Sequence, residues 1–208
     1  MNKSKIRKNI LEVRKKNNSK NLNINFQYIL KVLQKKRIQG KTLGGYYPYN
    51  YEVNAIEILK KFEKLNYLIT LPKIKKNFQM DFFSWSSEDP LEINKYGIPE
   101  PISNKIKYPD ILLVPIVAYD KDLNRIGYGG GFYDRYLEKI KKVKKVTTIG
   151  FAYSFQKVKK IITNKYDIKL DFIITKSILF FFFWSKRLFI IFEQPEIPTI
   201  SPKNNILI

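Results

Sequence analysis

Apolar residues recur along this chain with two different periods, and the switches between them lay out its elements. Residues 3–16 set Ile6, Ile10, Leu11 and Val13 among basic positions, the spacing of one apolar stripe on a short helix. Asn and Ser break the pattern across 17–25, and Phe26, Ile29, Leu30 and Leu33 then follow the i, i+3, i+4, i+7 offsets of a second helix. Residues 43–49, LGGYYPY, read as a strand end and turn, with Gly44 and Gly45 allowing tight backbone and Pro48 stopping the strand. Helical period returns over 55–65 through Ile56, Leu59 and Phe62, and a short strand over 67–71 runs up to Pro72. Another strand is predicted over 78–85, followed by a long polar connection over 86–107 punctuated by Pro90, Gly97, Pro99 and Pro101. The run ILLVPIVAY at 111–119 predicts a central strand covered on both faces, although Pro115 removes a ladder donor. A helix over 132–140, a strand over 147–152, a short helix over 158–162 and a strand over 172–175 complete the pattern. Strands alternating with helices predict an α/β protein: an open, mostly parallel, Rossmann-like sheet in three layers, with helices on both faces.

Composition narrows the chemistry more than the fold. At roughly 150 residues per domain, 208 residues correspond to one domain with an appendage, here 1–177 and an atypical aromatic and Pro-containing tail, 178–208. With 44% hydrophobic and 27% charged residues the chain is globular in character. It has neither Cys nor His, which excludes disulfides, thiolate zinc sites, Ser-His-Asp triads and cysteine nucleophiles. Carboxylates, Lys, Arg, Tyr and backbone amides remain. The formal charge of +21 is a first hint of a polyanionic partner. Its lysines, however, are spread from Lys3 to Lys203, and the accompanying excess of Asn and Ile suggests AT-rich coding bias, so a solvated basic surface is favoured over a nucleic-acid face. The N-terminus lacks an apolar core with a small-residue cleavage site, which makes the cytoplasm the default location. The membrane-like stretch 178–192 is interrupted by Lys186 and Arg187, so no span is expected.

The segment richest in chemistry is Arg125-Ile126-Gly127-Tyr128-Gly129-Gly130-Gly131-Phe132-Tyr133-Asp134-Arg135, between the central strand and a helix. Glycines let successive N–H groups converge on phosphate oxygens, and a helix N-terminus adds partial positive charge. The spacing matches neither a Walker A loop nor a dinucleotide fingerprint, and a flexible hairpin would be equally glycine-rich. Asp134 by itself could be a first-turn acid favoured by the helix dipole, Lys3 and Arg7 a solvated basic helix end, and Tyr47 simply core. Asp120 and Asp122, in an Asp-Lys-Asp-Leu-Asn stretch after a strand, read as turn chemistry rather than metal ligands.

In wider context, Tyr108-Pro-Asp-Ile-Leu-Leu-Val-Pro115, Ala118-Tyr119-Asp120 and the glycine loop with Tyr133-Asp134-Arg135-Tyr136-Leu137 resemble the 5-formyltetrahydrofolate cyclo-ligase family. Lys3-Ser-Lys-Ile-Arg7, Gly45-Tyr-Tyr-Pro48 with Glu52-Val53-Asn54, Tyr96-Gly-Ile-Pro-Glu-Pro101, Ile149-Gly-Phe-Ala152, Gln156, Asp167 and Leu170-Asp171 extend the resemblance over 3–177. It departs from the family pattern at Tyr166, where His is common, and at Asn54, where an acid is common. The resemblance implies ATP-driven closure of 5-formyltetrahydrofolate, free or polyglutamylated, to 5,10-methenyltetrahydrofolate, by a Mg²⁺-dependent monomer. It also implies site roles: Lys3, Arg7 and Arg125, Ile126, Gly127, Tyr128, Gly129, Gly130, Gly131, Phe132 and Tyr133 around ATP; Tyr47, Glu52, Tyr128, Phe132 and the glycines 129–131 against the folate; Asp134 and Asp167 on the metal; Arg125, Tyr133 and Asp134 in catalysis. A basic nucleic-acid-binding module and a family member that folds without turning over are the alternatives.

Overall fold

The computed structural model describes residues 2–17 and 24–175, with the backbone of 179–181. Among the described residues four α-helices, α1 (Lys3–Lys16), α2 (Phe26–Lys35), α3 (Ala55–Glu63) and α4 (Phe132–Lys141), accompany eleven strands. These are β1 (Thr42–Gly44), β2 (Leu68–Ile74), β3 (Met80–Ser84), β4 (Leu91–Ile93), β5 (Pro99–Pro101), β6 (Ile111–Pro115), β7 (Ala118–Tyr119), β8 (Arg125–Ile126), β9 (Thr147–Phe151), β10 (Phe172–Ile174) and β11 (Leu179–Phe181). Seven of them form one sheet in the order β11-β10-β9-β6-β1-β2-β3, parallel from β10 to β2 and antiparallel at both edges. The boundary expected at 177/178 falls between β10 and β11.

Alternation along β6 explains the three layers. Ile111 and Leu113 face a core built with Ile29 and Leu33 of α2 and Leu59 and Phe62 of α3. Leu112 and Val114 face the other way, onto Tyr136, Leu137 and Ile140 of α4. A smaller cluster packs Ile6 of α1 against Ala118, Ile126 and Ile161. The helices begin where the sequence supplies caps: Asn2, Asn25 and Asn54 accept from first-turn amides of α1, α2 and α3. Asn54 therefore does for α3 what an acid at that position would do.

The chain leaves β1 on one side through α3 to β2 and reappears on the other side as β6. The carboxyl ends of β1 and β6 thus meet at a switch point, where open parallel sheets form their ligand crevices. Close approach there needs glycine: a Cβ on Gly45 would lie 2.4 Å from Leu59.

Four expectations are corrected. First, β2 continues through Pro72 to Ile74. Its partner Phe82 turns its carbonyl to Lys107, so the pair makes no ladder bond, and Pro72 faces the side where β1 has already ended. Second, the run 111–119 is two strands: β6 stops at Pro115, Gln156 takes the carbonyls of Ile116 and Val117, and β7 pairs with β8 in a separate hairpin. Third, 86–107 contains the β4–β5 hairpin, whose prolines sit in a short edge strand. Fourth, 158–162 is irregular rather than helical, because Val158 N donates to Tyr119 O at 2.7 Å and Ile161 N to Asp120 Oδ2 at 2.9 Å. No helix among the described residues is long and apolar enough to cross a membrane.

Candidate active site

A cleft of about 1010 Å³ opens at the switch point. Its walls bring together Lys3 and Arg7 from α1, Tyr46, Tyr47, Tyr49 and Glu52 from the segment after β1, the whole stretch from Arg125 to Arg135, and Tyr166 and Asp167. Every site residue expected from the sequence is therefore at this one cleft.

The glycine loop is held from below by the β7–β8 turn. Asp120, fully buried, accepts from the amides of Asp122, Asn124 and Ile161 and from the Asn124 side chain, as expected of turn chemistry. The loop then needs positive φ at Gly129 (+104°) and Gly131 (+67°), the latter serving as N-cap of α4. A glycine cap offers no side-chain acceptor, so the first amides of α4 carry no side-chain cap. Arg7 lies against this loop: its Nε donates to the Gly127 carbonyl at 2.8 Å, and its guanidinium borders Gly129. Arg135 pins the loop's far side, donating to the carbonyls of Gly130 and Phe78.

Two carboxylates flank the glycine loop. Asp134 Oδ1 accepts from Arg125 Nη2 at 2.9 Å and from Ile168 N at 3.2 Å. Asp167 Oδ2 pairs with Lys3 and accepts from Asn164 N at 2.6 Å. The other oxygen of each accepts no hydrogen bond among the described residues. Arg125 is buried and spends its second nitrogen on the Ile168 carbonyl, so it braces Asp134 rather than reaching into the cleft. Tyr166 borders the cleft with a largely exposed side chain, and its backbone N–H donates to Asn164 Oδ1 in the turn presenting Asp167.

At the back of the cleft, Asn50 and Tyr51 both take positive φ, and the resulting turn lets Glu52 Oε2 accept from Tyr49 N at 2.9 Å. Glu52 is buried and its Oε1 has no hydrogen-bond partner among the described residues. Burial pushes its carboxyl up to about 7, against the opposing pull of the Tyr49 amide, the Arg14 charge and the nearby Tyr128 hydroxyl. The Tyr133 hydroxyl is also buried without a partner among the described residues, and burial followed by Glu52 holds it well above the usual phenol range. Arg14 was not singled out from the sequence. The apolar stripe put Val13 inside, whereas Val13 is 37% exposed and Arg14 1%.

These features define an α/β protein with a crevice at the switch point of an open sheet and a glycine loop opening a helix in its wall. The sequence profile of the 5-formyltetrahydrofolate cyclo-ligase family matches residues 1–176, and the chain belongs to that family. The 5-formyltetrahydrofolate cyclo-ligase of Haemophilus influenzae is 31% identical over 152 residues, 69% of this chain and 79% of the relative. That of Mycoplasma pneumoniae is 34% identical over 135 residues, 64% and 72% of the two chains. Among solved structures, a 5,10-methenyltetrahydrofolate synthetase from Mycoplasma pneumoniae superposes with a TM-score of 0.66 at 27% identity, covering 85% of this chain and 100% of the other. One from Aquifex aeolicus gives 0.65 at 26%, covering 87% and 93%.

Proposed function

We propose that this cleft performs the family's reaction, closure of 5-formyltetrahydrofolate to 5,10-methenyltetrahydrofolate with ATP, through the residues assembled above. The chemical obstacle is the formyl amide, whose carbon is a poor electrophile and whose oxygen is a poor leaving group. Transfer of the γ-phosphoryl group to that oxygen creates a leaving group. The neighbouring nitrogen then attacks the activated carbon, the C–O bond breaks, and ADP and phosphate are the products. No step requires histidine, because phosphoryl transfer depends chiefly on alignment and charge stabilisation.

The observation that carries this reading is the uncapped N-terminus of α4, entered through Gly129–Gly131 and faced by Arg7. Its amides, with Arg7, Lys3 and the backbone from Arg125 to Tyr133, suit a triphosphate. Tyr47, Tyr128, Phe132 and the glycines 129–131 wall the folate, and Glu52 Oε1 accepts from its pterin N–H donors. Tyr133 directs an unpartnered hydroxyl toward the reacting groups, and Arg125 acts by fixing Asp134. Asp134 and Asp167, each with one oxygen held by a cation and one spare, fit Mg²⁺, which takes one or two protein carboxylates beside phosphates and waters. When bound, that ion would neutralise charge on the phosphates. The same reading has the protein act as a cytoplasmic monomer on small-molecule substrates.

Calorimetric titration of ATP in Mg²⁺ into the wild type and Arg7→Ala tests the cradle. Saturable binding that weakens by about an order of magnitude in the variant is expected on loss of a charge-assisted phosphate contact. Equal affinity would place the triphosphate elsewhere.

A further inference from the structure

Lys3, Arg7 and Arg14 lie on one face of α1, four and seven residues apart, and each touches a different part of the cleft wall. Lys3 pairs with Asp167 and Arg7 holds the Gly127 carbonyl, but Arg14 is wholly inside the protein. One of its terminal nitrogens donates to the Tyr128 hydroxyl at 2.9 Å, and the other to the carbonyl of Ile116, just past the end of β6. Through that tyrosine it reaches Glu52: the Tyr128 hydroxyl donates to the Tyr49 carbonyl at 3.3 Å, and the Tyr49 amide donates to Glu52 Oε2 at 2.9 Å. Arg14 Nε, Glu52 Oε1 and the Tyr133 hydroxyl are all buried with no hydrogen-bond partner there. Such orphaned groups are costly unless a bound molecule completes them.

We propose that Arg14 is a positioning residue which, from inside the fold, sets the Glu52 carboxylate and Tyr128 of the glycine loop in one arrangement, so that the folate wall and the nucleotide loop are aligned together. The inference rests on the reading that Glu52 contacts the folate and the loop holds ATP. Arginine suits the task because a planar guanidinium can hold two fixed acceptors at once, which a lysine ammonium cannot do with the same geometry. The groups around Glu52 support it. Tyr46 after β1, Tyr128 of the loop, Tyr133 of α4 and Tyr153 after β9 are hydroxyls that stay neutral at physiological pH, with burial raising all four. The Arg125 charge lowers Tyr133, and the Arg14 charge lowers Glu52 against the larger effect of burial.

The test is calorimetric titration of 5-formyltetrahydrofolate alone, and separately of ATP with Mg²⁺, from about pH 6 to about pH 9. Arg14→Met should weaken folate binding severalfold at neutral pH, because loss of the cation moves Glu52 ionisation further up. That deficit should close as the pH rises, whereas ATP binding should weaken at every pH as Tyr128 is released. Arg14→Lys should keep the wild-type pH dependence for folate and share the ATP loss. Glu52→Gln should bind folate weakly and without pH dependence, with ATP unaffected. A folded Arg14→Met that matches wild type for both ligands, or whose folate deficit is the same at every pH, overturns the proposal. Wild-type folate affinity in Glu52→Gln removes the Glu52 reading itself, a failure recognisable because Arg14→Met would still weaken ATP. Should Arg14→Met not fold, Tyr128→Phe must reproduce the ATP loss of Arg14→Lys; wild-type ATP affinity in both variants overturns the link to the loop.

Discussion

Replacing Gly129 by alanine isolates the backbone geometry of the proposed phosphate cradle. Space does not forbid the methyl group, since its nearest neighbour would be the Arg7 guanidinium at 3.4 Å. The torsion does: at φ +104° an L-residue carries a penalty of about 1–2 kcal/mol. If the loop relaxes to avoid it, the binding-competent conformer falls by the corresponding Boltzmann factor, and the apparent ATP dissociation constant rises roughly 5- to 30-fold. Gly97 provides the control. It also has positive φ, +74°, and an added methyl group would meet nothing within 4 Å, but it lies in the turn between β4 and β5. Gly97→Ala should therefore incur a similar torsional penalty, lowering the melting temperature by a few degrees at about 2–4 °C per kcal/mol, without touching ATP affinity. Calorimetry and thermal unfolding of both variants decide the matter. Equal ATP affinity in the two would show that Gly129 and its loop do not cradle the nucleotide.

Asp134→Ala should reduce turnover by about two orders of magnitude or more, through loss of a phosphate- or metal-orienting group, with the fold retained by circular dichroism; near-wild-type rates across a Mg²⁺ titration would remove that role. Asp120→Ala strands the buried amides of Asn124 and Ile161, at roughly 1–3 kcal/mol each, and should lower the urea midpoint while Asp122→Ala does not. Glu52 makes stability depend on pH: its carboxyl sits at about 7 in the folded chain, above its ordinary value of 4.5, so the native state holds a proton that the unfolded state has released. Stability should fall by up to about 3 kcal/mol between those two values as the pH rises, and Glu52→Gln should flatten the curve in urea titrations at a series of pH values. Ending the chain after residue 181 should preserve cooperative unfolding and turnover, whereas ending it at 177 also removes β11 and exposes the β10 edge, which differential scanning calorimetry will register as a lower transition.

What could be read from the sequence was whatever local pattern and local chemistry determine. The amphipathic helices, the strands at 147–152 and 172–175 and the glycine loop opening α4 all carry their signal within a few residues. The expected site residues gather in one cleft because the motifs bearing them are positioned by a switch point that the strand and helix order implies. The misreadings share a cause in distant partners. Residues 158–162 have helical spacing, but Tyr119 and Asp120 claim their amides. Pro72 sits inside a strand only because β1 has ended beside it. Arg14 occupies an apolar face because Tyr128 and Ile116, more than a hundred residues away, satisfy its charged end. Periodicity assigns any arginine to solvent, so no local signal could have found it.

The most direct measurement is of turnover. Purified full-length protein, with ATP, Mg²⁺ and 5-formyltetrahydrofolate, should generate the methenyl absorbance band with one ADP released per product formed, and should generate none when ATP is omitted. A folded protein that forms no methenyl product under those conditions, or that releases ADP without it, would contradict the assignment of this cleft to folate ring closure.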